Sequence, residues 1–240
     1  MSEKPTGFAR AVRMGASEAF GVPAAVLGAG FIGYGALSAD AGYPLWLTTL
    51  STMVIWALPG QLVLHEMYGV GAAAVVIVLA VTLTAVRFLP MAMTLMPLMR
   101  DERHASWKMY VAAHFVSMTS WAVCMRRCTD VPREDRLAYL IAFSVTCWSS
   151  CLVTGAIGYF AGGWLPPVVR LGSVFLTPVY FLVILVGDVR TRLAVYALAC
   201  GAVAGPLFYL LNPQWSLLIA GVGGGTVAYG LQRLGKKRRD

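Results

Sequence analysis

The chain has 240 residues, of which 58% are hydrophobic and 12% charged, and its mean hydropathy is +0.70. A typical soluble domain is about 45–50% apolar and about 25% charged, so this composition excludes an ordinary soluble protein and predicts a polytopic membrane protein. The net charge of +8 lies in loops and chain ends beside apolar segments, which indicates contact with anionic lipid rather than with nucleic acid.

Apolar segments long enough to cross a bilayer recur along the whole chain. A hydrocarbon core of about 30 Å requires about 20 apolar residues per helix. The predicted spans are residues 20–39, 44–64, 71–97, 107–125, 137–161, 173–187, 193–211 and 216–232. Because the sixth is short and the fourth rather polar, seven spans is the alternative count. The transmembrane domain, 20–232, lies between a basic N-terminus, 1–19, and a basic tail, 233–240.

The basic residues predict which loops face the cytoplasm. Lys and Arg concentrate in the N-terminus, in residues 126–136 and in the tail, and cytoplasmic loops carry such an excess. Eight spans with both termini in the cytoplasm satisfy this rule and place residues 40–43, 162–172 and 212–215 outside. Residues 98–108 conflict with the rule, because they are basic yet lie outside in this count.

Prolines interrupt three of the predicted spans. Pro59, followed by Gly60, lies in the second span, Pro90 in the third and Pro178 in the sixth. A proline removes one backbone hydrogen bond and frees the carbonyl one turn earlier, which a bilayer tolerates where the backbone faces protein or a wet cavity. The breaks therefore predict a cavity inside the helix bundle.

Two segments of the chain resemble each other. "GFIGYGA" at 30–36 is similar to "GAIGYFA" at 155–161, and each lies before a proline-containing helix. Paired broken segments in two halves point to the binding site of a transporter. We interpret the similarity as a weak internal repeat. The predicted topology runs both segments in the same direction, whereas an inverted repeat requires a different count.

Arg87 lies in the middle of the third span. An arginine at the centre of a membrane helix costs about 2.5–3.5 kcal/mol on insertion scales, so its side chain is predicted to face the bundle interior. There the guanidinium binds the freed carbonyls of a broken helix, a buried acid, or the carboxylate of a substrate. These alternatives remain open from the sequence.

Other polar residues are predicted to line the same path as Arg87 and the three prolines. They share positions near the breaks or on one face of the fourth span. They are Gly60, Gln61, Thr82, Thr84, His114, Ser117, Thr119 and Ser120.

The sequence predicts no enzyme. "HEMYG" at 65–69 lacks the second histidine of HExxH, and no serine lies in a GxSxG frame. The five cysteines and three histidines follow no zinc spacing. We therefore expect neither a metal nor a cofactor.

The order of several motifs resembles a known family. "WALPGQLVLHEMYG" is followed by "LTAVRFLPMAMTLMPLMR", a short polar helix and a basic loop. This order resembles the AzlC-type branched-chain amino acid exporters, from about Phe20 to Leu231. Gln61, Arg87 and "LMPLMR" at 95–100 fit the family pattern.

The chain also departs from that pattern. Ala85 stands where the pattern has Asn, Phe88 where it has His, and Met118–Thr119 where it has an Asp–Glu pair. The resemblance therefore implies a divergent member, and the loss of polar groups puts the identity of the substrate in question.

The resemblance implies an exporter of Leu, Ile, Val or related amino acids in a bacterial inner membrane, working with a small AzlD-type membrane subunit. Two GxxxG motifs, Gly201 with Gly205 and Gly221 with Gly225, permit close helix approach to a partner or within the chain. The alternatives are an exporter of another small carboxylate-bearing solute, a non-transporting assembly or sensor module, and a passive channel. A channel requires a homo-oligomer, and the sequence leaves the oligomeric state undecided.

Overall fold

The structure is a computed structural model that describes residues 7–101, 106–187, 192–211, 223–230 and 233. All regular structure in these residues is helical, which confirms the predicted all-α class for them. The chain divides into two compact units, Met1–Phe181 and Leu182–Asp240. The helices are α1 (Gly7–Ala19), α2 (Val22–Asp40), α3 (Leu45–Val54), α4 (Leu58–Gly69), α5 (Ala74–Ala85), α6 (Phe88–Met99), α7 (Ser106–His114), α8 (Met118–Arg127), α9 (Arg136–Ala161), α10 (Pro167–Gly187) and α11 (Arg192–Leu211).

Among the described residues, two helical segments are long and apolar enough to cross a membrane. They are α2 and the stretch Arg133–Trp164, which contains α9 with a short 3-10 turn at each end. The pair α5 and α6, bent by 53°, makes a third if it counts as one span. These helices support the predicted membrane protein, but a bundle of seven or eight spans is not confirmed.

α2 and α9 lie side by side and run in the same direction. A Cβ added at Gly28 would lie 3.1 Å from Cγ2 of Thr154, and one added at Gly162 would lie 3.1 Å from Cα of Ala36. Contacts thus advance together along both helices. The small residues let the two backbones approach closely, and this glycine seam forms the centre of the first unit.

The two similar segments, 30–36 and 155–161, form part of this seam. Gly158 of one segment faces the backbone of Ile32 in the other so closely that a Cβ would collide with it. The segments run in the same direction, as in the predicted topology. The glycines that the two segments share serve this close packing, and the origin of the segments in a repeat stays a prediction.

One end of α9, which we call the arginine end, also holds the end of α6. Arg136 donates from Nη1 to the Leu98 carbonyl over 3.4 Å, and Arg133 donates from Nε to the Arg100 carbonyl over 3.1 Å. Basic side chains therefore cap the C-terminal carbonyls of α6, where the helix dipole favours positive charge.

The opposite end, the tyrosine end, holds the end of α2 and the start of α10. The Tyr159 hydroxyl donates to the Tyr43 carbonyl over 2.5 Å. Asp40 forms an ion pair with Arg170. Residues 40–43 and the start of α10 thus lie together, as the predicted topology required.

α3 and α4 leave the tyrosine end and return to it. The Tyr43 hydroxyl donates to the His65 carbonyl, and the rings of Tyr43 and Tyr68 lie 4.9 Å apart. His65 Nε2 also lies 3.3 Å from the Leu37 carbonyl oxygen. The pair, hairpin A, therefore does not cross the unit. This corrects the predicted span 44–64, because hydropathy reports the length of an apolar segment and not its direction.

α7 and α8 form hairpin B, which starts from and returns to the arginine end. α8 runs beside α6 in the same direction, since Trp121 Nε1 donates to Thr94 Oγ1 over 2.9 Å and α8 leads into residues 131–136. α7 contacts α6, and Met109 and Ala112 of α7 belong to the same apolar cluster as Met99 at the end of α6. The predicted span 107–125 is therefore wrong in the same way as the second span.

α5 and α6 connect the two ends. α5 follows hairpin A directly, and α6 ends at the arginine end, so this broken helix crosses the unit as predicted for 71–97. The C-terminus of α6, including Arg100, lies beside residues 131–136. The conflict with the positive-charge rule arose because two hairpins were counted as crossings.

α1 was not predicted as part of the fold. Gly15 packs on α9, where a Cβ would lie 2.6 Å from the Tyr139 carbonyl oxygen. Glu18 pairs with Arg127 at 2.7 Å and accepts from the Tyr139 hydroxyl over 2.5 Å. Residues 7–19, predicted only as part of a basic N-terminus, therefore dock on α9 and on the base of hairpin B.

In the second unit, residues 223–230 are helical and approach α11. A Cβ at Gly224 would lie 3.6 Å from the backbone nitrogen of Gly201. Gly221 and the predicted outer loop 212–215 lie outside the described residues. Gly205 has no neighbour within 4 Å of the position of a Cβ among the described residues.

Candidate functional site

Three helices of the first unit break at the middle of the bundle. The breaks are Ile55–Ala57, Val86–Arg87 and Phe115–Ser117. Pro59 and Pro90 fall in the first turns of α4 and α6, where the missing amide hydrogen has no helical partner to lose. The sequence thus predicts two of the three breaks from proline, although each break lies two to four residues before its proline.

The third break is encoded by a capping box. Ser117 is extended and accepts from the Ser120 amide over 3.2 Å, while its own amide donates to Ser120 Oγ over 2.8 Å. This reciprocal pair starts α8. Ser117 and Ser120 were predicted on the path, and the structure gives Ser120 this capping role.

All three breaks border one cavity, closed at the back by α2. The cavity encloses about 30 Å³ for water-sized molecules, which is room for about two waters. Most of the residues that line the cavity are apolar, and Arg87 and Ser117 contribute its polar side chains. The lining residues are Leu27, Phe31, Trp56, Ala57, Leu58, Pro59, Arg87, Phe88, Ser117 and Met118.

The lining residues of the broken helices lie at or just before the N-terminal ends of α4, α6 and α8. No side chain caps the N-terminus of α4 or of α6. Helix N-termini carry partial positive charge and amide hydrogens that attract anions. The cavity therefore presents a positive, hydrogen-bond-donating surface within an apolar wall.

Arg87 is the N-cap residue of α6 and lines this cavity. Its guanidinium carbon lies 5.1 Å from the centre of the Phe88 ring. Its Nε is buried and has no hydrogen-bond partner among the described residues. Neither a freed carbonyl nor a buried acid among the described residues satisfies this nitrogen.

Gln61 does not line the cavity but joins the two helices of hairpin A. It is fully buried, and its Nε2 donates to Ser51 Oγ over 3.2 Å and to Thr52 Oγ1 over 2.9 Å. Tyr34 of α2 shares a hydrogen bond of 2.9 Å with Ser51. Nothing in the sequence indicates this network beyond hydroxyls on one face of α3, at Thr48, Ser51 and Thr52.

Thr82 and Thr84 lie away from the cavity. Thr82 is exposed and donates to the Val78 carbonyl, and Thr84 donates to the Val81 carbonyl, each over 2.7 Å. A Cβ at Gly60 would lie 3.0 Å from Thr84 Oγ1. Gly60 and Thr84 therefore serve the close packing of α4 on α5.

His114 joins the tips of the two hairpins. Its Nε2 lies 3.3 Å from the Met53 carbonyl oxygen. Thr119 is fully buried behind the cavity, and its hydroxyl has no partner among the described residues. Pro90 does not line the cavity. Pro178 lies within α10, which continues through it, and its side chain lies outside the described set.

Aromatic residues that the sequence did not single out surround the hairpin tips. Trp56 has a positive φ of 38°. This backbone conformation is unfavourable for a residue with a bulky side chain, and such strained conformations cluster at functional sites. Its ring lies 6.5 Å from that of Phe115, which lies 5.9 Å from that of Trp148. Phe115 thus lies between Trp56 of the cavity lining and Trp148 of α9.

The described residues contain no group of three or more His, Cys, Asp or Glu placed to hold a metal ion. The five cysteines are free, and the four on α8 and α9 or adjoining them are buried.

A protein-family model described as "AzlC protein" matches residues 24–165, more than half of the chain. The match contains both hairpins and all three breaks. Comparison with curated proteins and with solved structures found no match.

Proposed function

Because the chain belongs to the AzlC family, we propose that it exports branched-chain or related apolar amino acids across the bacterial inner membrane. One observation carries the proposal. Three helix N-termini and the unpartnered Nε of Arg87 meet at one apolar cavity between two hairpins. Discontinuous helices of this kind form the binding sites of secondary transporters.

The cavity suits the carboxylate of an amino acid. The uncapped N-termini of α4 and α6 supply the amides of Leu58, Gly60 and Phe88, since Pro59 and Pro90 have no amide hydrogen. Arg87 supplies a charged donor that carboxylates bind as a fork. The C-terminal ends of α3, α5 and α7 lie at the same breaks, and their partial negative charge suits the ammonium group.

The rest of the wall suits an apolar side chain. Leu27 and Phe31 of α2 face Trp56, Phe88 and Met118 across the cavity. Two departures from the family pattern, Phe88 and Met118, thus lie in the lining itself. Both substitutions make the wall more apolar, which favours Leu, Ile, Val or Met over polar amino acids.

The two hairpins approach the cavity from opposite ends of the unit, which is the arrangement that alternating access requires. In this conformation the cavity has room for about two waters. Movement of hairpin A opens the cavity toward the tyrosine end, and movement of hairpin B opens it toward the arginine end. We assign the arginine end and both termini to the cytoplasm by the excess of basic residues.

A small AzlD-type subunit is part of the proposal. Gly201 and Gly205 on α11 have no neighbour within 4 Å of a Cβ position among the described residues, and such small-residue faces permit close approach of another helix. Exposed valines and leucines of α5 suit contact with lipid.

Whole-cell efflux of preloaded labelled Leu, Val, Ile and Met tests the proposal. The chain is expressed alone, with a small AzlD-type membrane protein, and with that protein as Arg87→Ala. We expect efflux only from the pair, and a loss of at least about tenfold in Arg87→Ala, because a charged hydrogen bond to the substrate is removed. Arg13→Ala, an exposed arginine of α1, is the matched control.

A second candidate is a non-transporting membrane module that keeps the fold, favoured by the loss of family polar groups at Phe88 and Met118. It predicts no efflux of any of the four amino acids from a pair that is inserted and folded. Equal efflux from Arg87→Ala and Arg13→Ala would instead contradict the role of Arg87 in binding the carboxylate.

A further inference from the structure

Three buried polar atoms between the cavity and the arginine end have no hydrogen-bond partner in the described part of the chain. They are Thr119 Oγ1, Ser144 Oγ and Trp148 Nε1. Both Thr119 and Ser144 are 0% exposed. Folded proteins pair nearly all buried polar atoms because an unpaired one costs stability, so three in one region require an explanation.

Other hydroxyls of α9 donate to carbonyls of their own helix, and the Ser144 hydroxyl could have done the same. Thr146 donates to the Ala142 carbonyl over 2.8 Å, and Ser150 donates to the Cys147 carbonyl over 2.7 Å. Hydroxyls in helices ordinarily find such local partners. Ser144 does not, although it is more deeply buried than either. The indole of Trp121 likewise has a partner, whereas that of Trp148 has none.

The three residues lie where hairpin B packs on α9. Leu140, four residues before Ser144, belongs to an apolar cluster with Val116 and Cys124 of hairpin B and its tip. Residues four apart share a helix face. Trp148, one turn further, contacts the ring of Phe115 at the tip of the hairpin. Thr119 is the second residue of α8, directly after Met118 in the cavity lining.

The positions of Ser144 and Trp148 along α9 show in which direction the strip formed by Thr119, Ser144 and Trp148 extends. Ser144 is eight residues from Arg136, or about 12 Å at 1.5 Å per residue. Trp148 lies one turn nearer to the aromatic rings at the cavity. The unpartnered atoms thus extend from the cavity toward the arginine end.

We propose that Thr119, Ser144 and Trp148 line the half of the substrate path that leads from the cavity to the arginine end. The inference rests on the proposed transport function. When hairpin B moves away from α9, water and the polar head of the amino acid reach these three groups. In the conformation described, the same groups are buried without partners among the described residues.

Thiol labelling of Ser144→Cys tests whether this strip opens. The variant is made with Cys200, which is partly exposed, and with Cys124 and Cys128, which belong to the apolar cluster between hairpin B and α9, all changed to Ala. Native Cys147 and Cys151, on the same helix and at most 1% exposed, belong to an apolar cluster and serve as internal controls. Inside-out membrane vesicles expose the arginine end to a membrane-impermeant maleimide.

We expect Ser144→Cys to be labelled at least about tenfold faster than the native cysteines, because labelling follows the population of the open state. Saturating leucine should slow the labelling. A rate equal to that of the native cysteines, with transport intact, would show that hairpin B does not open over Ser144 and would overturn the proposal.

A pair of alanine variants provides a second measurement. Ser144→Ala removes an unpartnered hydroxyl, so its melting temperature should be equal to or above that of the unmodified chain. Its KM for efflux should rise by about three- to tenfold if the hydroxyl contacts the substrate. Ser150→Ala, with a hydroxyl bonded to its own helix, should leave KM unchanged.

The two proposals fail in different ways. Fast labelling of Ser144→Cys without export of any tested amino acid supports the path and contradicts the proposed substrate. Export with slow labelling and an unchanged KM in Ser144→Ala supports the proposed function and contradicts the path.

Discussion

The two hairpins have the same outline but are held by different kinds of hydrogen bond. In hairpin A, Gln61 Nε2 joins the two helices through Ser51 and Thr52, the N-terminus of α4 is uncapped at the cavity, and Thr48 Oγ1 and Gln61 Oε1 are buried without a partner among the described residues. Hairpin B caps α8 through Ser117 and Ser120, and leaves polar atoms unpaired behind its tip. We infer that hairpin A is a firm part of the binding surface and that hairpin B is the element that separates more readily from its support.

The largest effect is expected from breaking the network of hairpin A. Gln61→Ala removes two hydrogen bonds and leaves a cavity, so it should lower the free energy of unfolding by about 2–4 kcal/mol. The apparent melting temperature in detergent measures this. Thr82→Ala, at an exposed hydroxyl, should cost less than about 0.5 kcal/mol. Equal losses in both variants would mean that the network does not hold hairpin A together.

A smaller effect is expected where hairpin A packs on α5. Gly60→Ala places a methyl group 3.0 Å from Thr84 Oγ1 and 3.1 Å from Ile55 Cγ2. Overpacking of this kind should cost about 1–3 kcal/mol, measured by the same melting experiment. Gly163→Ala meets no atom within 4 Å among the described residues and should change the melting temperature little. A neutral Gly60→Ala would indicate that α4 shifts freely against α5.

The cap of hairpin B should contribute less. Ser120→Ala removes one half of the capping box and should cost about 1 kcal/mol. Ser17→Ala, which removes an exposed hydroxyl bonded to the Met14 carbonyl, is the control. If Ser120→Ala proves as costly as Gln61→Ala, the distinction between a firm and a movable hairpin fails.

The smallest effect on stability is expected at the contact between the tips. His114→Ala removes one exposed hydrogen bond to the Met53 carbonyl, worth about 0.5 kcal/mol. Hydrogen exchange at the tip of hairpin A should accelerate while the ends of α2 and α9 keep their protection. Uniform acceleration across the unit would instead show that the two tips do not open locally.

Part of the candidate site was accessible from sequence because it depends on local chemistry: of the predicted path residues, Pro59, Arg87 and Ser117 line the cavity. Pro59 and Pro90 predicted two of the three breaks, and the cost of Arg87 in lipid predicted an interior position that the structure shows. The capping box at Ser117 was also readable, although its hydroxyls were predicted only as path residues. Local rules of this kind operate over four or five residues and need no knowledge of topology.

The direction of the chain was not accessible in the same way. Residues 44–64 and 107–125 have the length and polarity of spans, and only contacts such as Tyr43 with His65 show that hairpin A turns back. Ser144 was missed because nothing in the sequence separates it from Thr146 or Ser150, whose hydroxyls bond to their own helix.

The glycine seam has a consequence for the size of substrate that the cavity accepts. Leu27 and Phe31, which form the back wall, lie on the same helix as Gly28, where a Cβ would press on Thr154. The spacing of α2 from α9 therefore sets the position of this wall. A larger residue in the seam would push α2 away from α9 and narrow the cavity, and a smaller residue at position 154 would let α2 move back and widen it. If the cavity binds the proposed amino acid, the seam therefore sets which lengths of side chain fit, without a change in any residue that lines the cavity.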